Sequence, residues 1–287
     1  MAGGDATLRR LESPPTIAST SAAPPETVEA WAYDFVVTTE LEHKLRPPAL
    51  PREWSEPSTL EPIRIEQPGR PRELRVAERG RKTPGLDALR DPRQRAQLLH
   101  TFLHHELQAA ELMCRTVLAH PETPAAFRRG LISICRDEVR HMGWYAAHIE
   151  KLGHHYGDFS VNDWFWRRLP IDVTPLQFVA LMALGFEGAN LDHTERFAEL
   201  FEQVGDHEGA ELQRKIGAEE EPHVAFGAHW FQRLGGEALT FESWQAALPP
   251  PLSPRLLRGR TIGREARLRA GYPADFIDAF IAWTPEP

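Results

Sequence analysis

Residues 136–153, RDEVRHMGWYAAHIEKLG, and residues 219–231, EEEPHVAFGAHWF, decide how this chain is read. Each contains Glu-x-x-His, as Glu138–His141 and Glu220–His223, and each motif glutamate follows another acid, Asp137 or Glu219. Residues three apart share a helical face, so a carboxylate and an imidazole can converge on one point. Singly, the motif is weak. Chance placement of 29 glutamates and 13 histidines among 287 residues gives roughly one such pair. A third instance, Glu40–His43, falls in a proline-broken stretch with no partner helix and reads as coincidence.

Working outward, each motif has an upstream partner. Glu106 lies 32 residues before Glu138, and Glu187 lies 33 before Glu220. Both fall on apolar helical faces: Glu106 between Phe102 and Met113, Glu187 between Ala183 and Leu191. A two-helix unit therefore occurs twice, offset by 81 or 82 residues, with one Glu on its first helix and Glu-x-x-His on its second. Four carboxylates aimed into an apolar core cost several kcal/mol each unless neutralised. Two divalent cations would neutralise them, and Glu106, Glu138, His141, Glu187, Glu220 and His223 form the ligand set of di-iron or di-manganese carboxylate bundles. The bland alternatives are surface pairs with coincidental spacing, or a bundle that keeps the pattern without metal. Asp137 and Glu219 point about 100° from the ligand face, toward a neighbouring helix. There each can accept the outer N–H of the opposite half's histidine.

Periodicity predicts four long helices, 93–119, 124–152, 175–204 and 207–234, with a long aromatic connector, 153–174, between the two pairs. Shorter helical candidates follow at 238–248, 254–270 and 273–283. No segment alternates with period two, so the expected fold class is all-α: a four-helix bundle with a long crossover. Thirteen of 25 prolines fall in residues 1–100. We therefore expect a disordered arm over 1–26, an irregular N-terminal wrap over 27–92 with one short helix near 28–45, the bundle over 93–235, and a helical tail over 236–287. Pro222 sits inside the second motif, predicting a kink or a local bulge there. Glu111 reads as a boundary or supporting residue, His104 and His105 as packed or solvated, and Tyr145 as core with the option of standing above the metals.

A net charge of −8 repels nucleic acid and anionic membrane. Locally, residues 63–95 carry ten Lys/Arg against five Asp/Glu, read as a solvated basic strap or, alternatively, an anion-binding patch. No apolar run reaches the roughly 18 residues of a membrane span, and no secretory signal opens the chain. Cys114 and Cys135 form no CxxC pair, so a reduced, cytoplasmic setting is expected.

The stretches LLHTFLHHELQAAEL (98–112), RDEVRHMGWYAAHIEKLG, GFEGANLDHTERF (185–197) and EEEPHVAFGAHWF, with QPGRP (67–71) before and GREARLRAGY (263–272) after, carry a resemblance. They resemble an uncharacterised ferritin-like di-metal carboxylate family, a relative of the di-iron tRNA hydroxylases that act on isopentenyl-adenosine. The resemblance runs from about residue 60 to 275 and implies a metal-binding bundle with the six ligands named above; Pro222 and the run of acids at 219–221 depart from it. The expected function is a non-haem di-iron oxygenase or oxidase, using two iron ions (manganese the alternative), O₂, a small organic substrate and an external electron donor. A ferroxidase or peroxide-detoxifying protein and a tRNA hydroxylase are the alternatives. Nucleic acid and membrane are not expected partners, and a homodimer is allowed.

Overall fold

The computed structural model describes residues 25–56, 60–80, 82–259 and 261–284. The chain begins with α1 (Val28–Val37), capped by the Thr27 hydroxyl, and α2 (Leu41–Leu45). After the short α3 (Leu86–Leu89) comes α4 (Pro92–Ala119), which starts where the Asp91 side chain accepts from the N–H of Arg93. Pro92 sits at its first turn, where no N–H is needed. Then follow α5 (Ala125–Lys151) and, within the connector, α6 (Trp164–Arg168). A Thr174–Gln177 capping box opens α7 (Pro175–Leu181). One π-helical turn, Met182–Glu187, joins it to α8 (Gly188–Gln203). The Asp206 carboxylate caps α9 (His207–Gly235), and left-handed Gly236, φ 71°, ends it. The tail holds α10 (Phe241–Ala247), a 3₁₀ turn (Pro254–Leu256), α11 (Arg264–Arg269) and α12 (Ala274–Ala282).

This is an all-helical bundle. Helix α4 packs along α5, α7–α8 along α9, and α5 against α9, with the connector crossing between the pairs. No strand occurs among the described residues; two isolated bridges join Thr27 to Glu53 and Val76 to Val161. Two expectations need correction. The single helix near 28–45 is two helices, broken where Thr38–Glu40 leave helical geometry. The candidate over 254–270 is a 3₁₀ turn and a separate α11. Among the described residues from 46 to 85 the wrap has no helix, and α1 anchors it by burying Trp31, Phe35 and Val36 against α4. The arm over 1–26 lies outside the described residues except for its last two.

Buried charges fasten the wrap and the connector to α4. The guanidinium of Arg70 donates to both oxygens of Glu111, at 2.7 and 2.8 Å, and through Nε to Asp163 at 3.0 Å. Lys44 Nζ donates to the same Glu111 at 2.7 Å and to the carbonyls of Phe35 and Val36. Burial pulls the Lys44 ammonium below its usual range, and Glu111 opposes that pull. Asp163 also meets His104 Nε2 at 2.9 Å, whose Nδ1 lies 2.7 Å from the Tyr156 hydroxyl. Gly69 allows this approach: a Cβ there would collide with the carbonyls of Val37 and Thr38. The 63–95 segment is thus not simply a solvated strap, since Arg70 is its buried anchor. Glu111 serves this network and stands apart from the clustered motif residues.

Candidate metal centre

Glu106 on α4, Glu138 and His141 on α5, Glu187 at the end of the π turn, and Glu220 and His223 on α9 all project into the bundle core. All six are buried. Their ligand atoms form two overlapping groups: Glu106, Glu138, His141 and Glu220; and Glu138, Glu187, Glu220 and His223. Within each group the atoms lie within 4.8 Å of one another. Glu138 and Glu220 belong to both groups, while each histidine and each upstream glutamate belongs to one.

Both imidazoles turn Nδ1 inward. His223 Nδ1 lies 2.9 Å from Glu220 and 3.1 Å from Glu138; His141 Nδ1 lies 3.5 Å from Glu138, 3.7 Å from Glu106 and 3.8 Å from Glu220. The outer nitrogens meet acids of the opposite half. His141 Nε2 is 3.1 Å from Glu219, and His223 Nε2 is 3.3 Å from Asp137. Arg140 bridges these acids, donating to Asp137 at 2.7 Å and also to Glu219. Burial works against ionising the pair, yet His223 and Arg140 hold Asp137, and Arg140 and His141 hold Glu219, below the usual carboxylate range. Each outer carboxylate therefore orients one imidazole.

Burial and the neighbouring acids push Glu106 and Glu187 well above the ordinary carboxylate range. Burial alone would lower the histidines, but Glu106 and Glu138 push His141 up to about 12, and Asp137, Glu138 and Glu220 raise His223. These shifts favour protons on Glu106, Glu187 and both imidazoles when no cation is bound. Both oxygens of Glu138 and Nδ1 of His141 are fully buried and make no well-aligned hydrogen bond, only close approaches to the other clustered side chains. Native proteins seldom leave buried polar atoms so. Inward acceptors without well-aligned donors, histidines turned by acids behind them and two four-residue groups sharing two carboxylates are a donor set suited to a pair of divalent cations.

Irregular backbone delivers Glu187. A π turn widens the helix and disrupts the ordinary i to i−4 ladder. Side chains of the tail donate to carbonyls in this region: Trp244 Nε1 to Ala180 at 2.8 Å, and the Tyr272 hydroxyl to Leu184. A side chain at Gly188 would collide with that hydroxyl. The proline of the second motif lies elsewhere: α9 runs as helix through Pro222, and the bulge occurs on the helix facing it.

A cavity of about 400 Å³ ends on Glu106 and Glu187. Phe102, Phe165, Phe186 and Phe197 supply apolar wall; Tyr145 and His105 also line it. Tyr145 is thus both buried and on the cavity, its hydroxyl accepting from Gln213 at 3.2 Å. Ser160, Val161, Asn162 and Trp164 of the connector and Arg79, Lys82, Thr83 and Pro84 of the wrap complete the wall. Asn190 was not anticipated: its amide donates to Glu220 Oε1 at 3.0 Å. It lies three residues after Glu187, so its place on the same helical face was available in the spacing. Cys114 and Cys135 are buried free thiols with their sulfurs 3.4 Å apart.

Fold and site define an all-helical bundle protein with a buried carboxylate–histidine cluster compatible with two metal ions. The chain belongs to the family described as "Protein of unknown function (DUF455)", whose model matches residues 28–278. It is 26% identical over 147 residues to an uncharacterized protein of Haemophilus influenzae, covering 48% of this chain and 51% of the relative, so the match spans about half of each. No solved structure matches. No helix among the described residues is long and apolar enough to cross a membrane.

Proposed function

We propose that this protein is a ferritin-like non-haem di-iron oxygenase or oxidase acting on a small organic molecule. The observation that carries the reading is the aromatic-walled cavity leading to Glu106 and Glu187, one carboxylate from each half of the cluster. Glu106 and His141 would hold one ion, Glu187 and His223 the other, with Glu138 and Glu220 shared. An iron pair bound there would supply O₂ chemistry that amino-acid side chains cannot. The chain's own contribution is positional. Phe102, Phe165, Phe186 and Phe197 exclude water from the approach and align an apolar substrate. Glu219 and Asp137 keep each imidazole turned inward. Tyr145, fixed by Gln213, presents a phenol on the same cavity. Manganese is the alternative ion, and an external electron donor is part of the proposal.

Ferroxidase activity is the competing reading, and the sequence resemblance to tRNA hydroxylases suggests a third. The walled cavity favours the first, since Fe(II) as cargo needs no aromatic chamber. The test is O₂ uptake against added Fe(II). We expect uptake to stop near two irons per chain. Sustained turnover of tens of irons would move the assignment to iron handling.

A further inference from the structure

The cavity adjoins an outer vestibule of about 640 Å³, sharing Thr83, Pro84, His193 and Arg196 with it. The vestibule also takes Arg255, Arg258 and Trp283, from the tail. Among the described residues no acidic side chain lines it, and Glu106 and Glu187 are the only acids lining the inner cavity. This is unusual in a chain with 41 acidic against 33 basic residues. Nearby Asp192 is already engaged: it accepts from the N–H groups of Gly259 and Gly263 and from Arg267, at 2.7–3.0 Å. It therefore ties Gly259 and Gly263 to α8, and none of the vestibule arginines has a carboxylate partner among the described residues. Arg258 donates to the Phe280 carbonyl at 3.1 Å, Arg196 lies over the ring of Phe197, and Arg255 is exposed. Exposed Arg79 and Lys82 stand on the inner cavity's lining.

We propose that the substrate is a small molecule with an apolar body and a phosphate ester. Its phosphate sits in the vestibule against Arg196, Arg255 and Arg258, while its apolar body passes between the phenylalanines toward Glu106 and Glu187. Guanidinium forks match phosphate oxygens, and three of them with no carboxylate partner among the described residues suit a dianion better than a single carboxylate. The inner walls are aromatic and apolar, so the same molecule must carry an apolar portion. This rests on the reading of the cavity as a substrate site, but the anion site stands on the chain's own arginines.

The test is calorimetric titration of 1-naphthyl phosphate, 1-naphthol, 1-naphthoate and inorganic phosphate into the full-length, metal-free chain, where no ion can ligate the phosphate. Naphthyl phosphate should bind saturably and weaken with salt. Naphthol and inorganic phosphate, each carrying half of the recognised chemistry, should bind at least about tenfold more weakly, the scale of one charged hydrogen bond. Arg255→Gln with Arg258→Gln, both confined to the vestibule, should cost naphthyl phosphate about tenfold or more and leave naphthol unchanged, with unaltered melting as the folding check. Equal binding of naphthol and naphthyl phosphate, tighter binding of naphthoate, absence of saturable binding at millimolar probe, or indifference to the double substitution would each overturn the proposal. So would preferential binding of an RNA hairpin with a steep salt dependence. Iron stoichiometry and O₂ uptake, measured separately, fail or succeed independently of this result.

Discussion

Glu138 and Glu220 differ from Glu106 and Glu187 in one respect that metal analysis can read. The first two sit in both four-residue groups, the second two in one each. Glu138→Gln keeps the shape but replaces a carboxylate with a weaker, neutral donor. It should lose both ions, whereas Glu106→Gln should retain one. Elemental analysis after Fe(II) loading distinguishes them; equal losses would show that Glu138 is not shared between two ions. Much of this constellation was legible, because a ligand set repeated at an 81–82-residue offset is a pattern that chance does not supply twice. The partners of Glu111 were not. Lys44 and Arg70 have the composition of surface charges, and only the fold brings them to a carboxylate 67 and 41 residues away. A sequence shows that Glu111 leaves the ligand stripe, but not what neutralises it.

Among the elements, the long helices were readable to within a residue or two because apolar side chains recur every three or four positions. The π turn at Met182–Glu187 was not. Its residues are all buried, so no polar face marks the extra width, and a change in hydrogen-bond register leaves no compositional trace. Pro222 predicted a kink or a bulge on α9, and the π turn occurs instead on the helix facing it. The tail explains how the turn persists: Tyr272, buried beside Gly188, donates to the Leu184 carbonyl three residues before Glu187. Tyr272→Phe keeps the packed ring and removes only that donor, leaving a buried carbonyl without it. We expect a loss of about 1–3 kcal/mol in unfolding free energy by denaturant titration. Weaker retention of the ion held by Glu187 should accompany it. A variant with unchanged stability and metal content would mean that the turn holds itself without the tail.

At the scale of the whole molecule, the cluster couples stability to pH through the protons that stand in for metal. Glu106 and Glu187 keep protons that the unfolded chain releases near 4.5, so above that pH the native state binds more protons than the unfolded one. His141 and His223 do the same above 6.5, His141 up to about 12. For all four groups the sign is the same: the metal-free fold loses stability as pH rises through these windows. Glu138, held low despite its burial by Glu106 and the two histidines, has the opposite sign, but its contribution is lost only on acidification below 4.5. Bound cations replace the protons and favour the deprotonated carboxylates and neutral imidazoles. Chelation should therefore lower the melting temperature more at pH 8 than at pH 6, and loading the metal-free chain at constant pH should release protons into the buffer. Calorimetry in buffers of different ionisation enthalpy measures that release. Identical melting of metal-free and metal-loaded chains at both pH values, with no proton release, would mean that the six residues converge without holding ions.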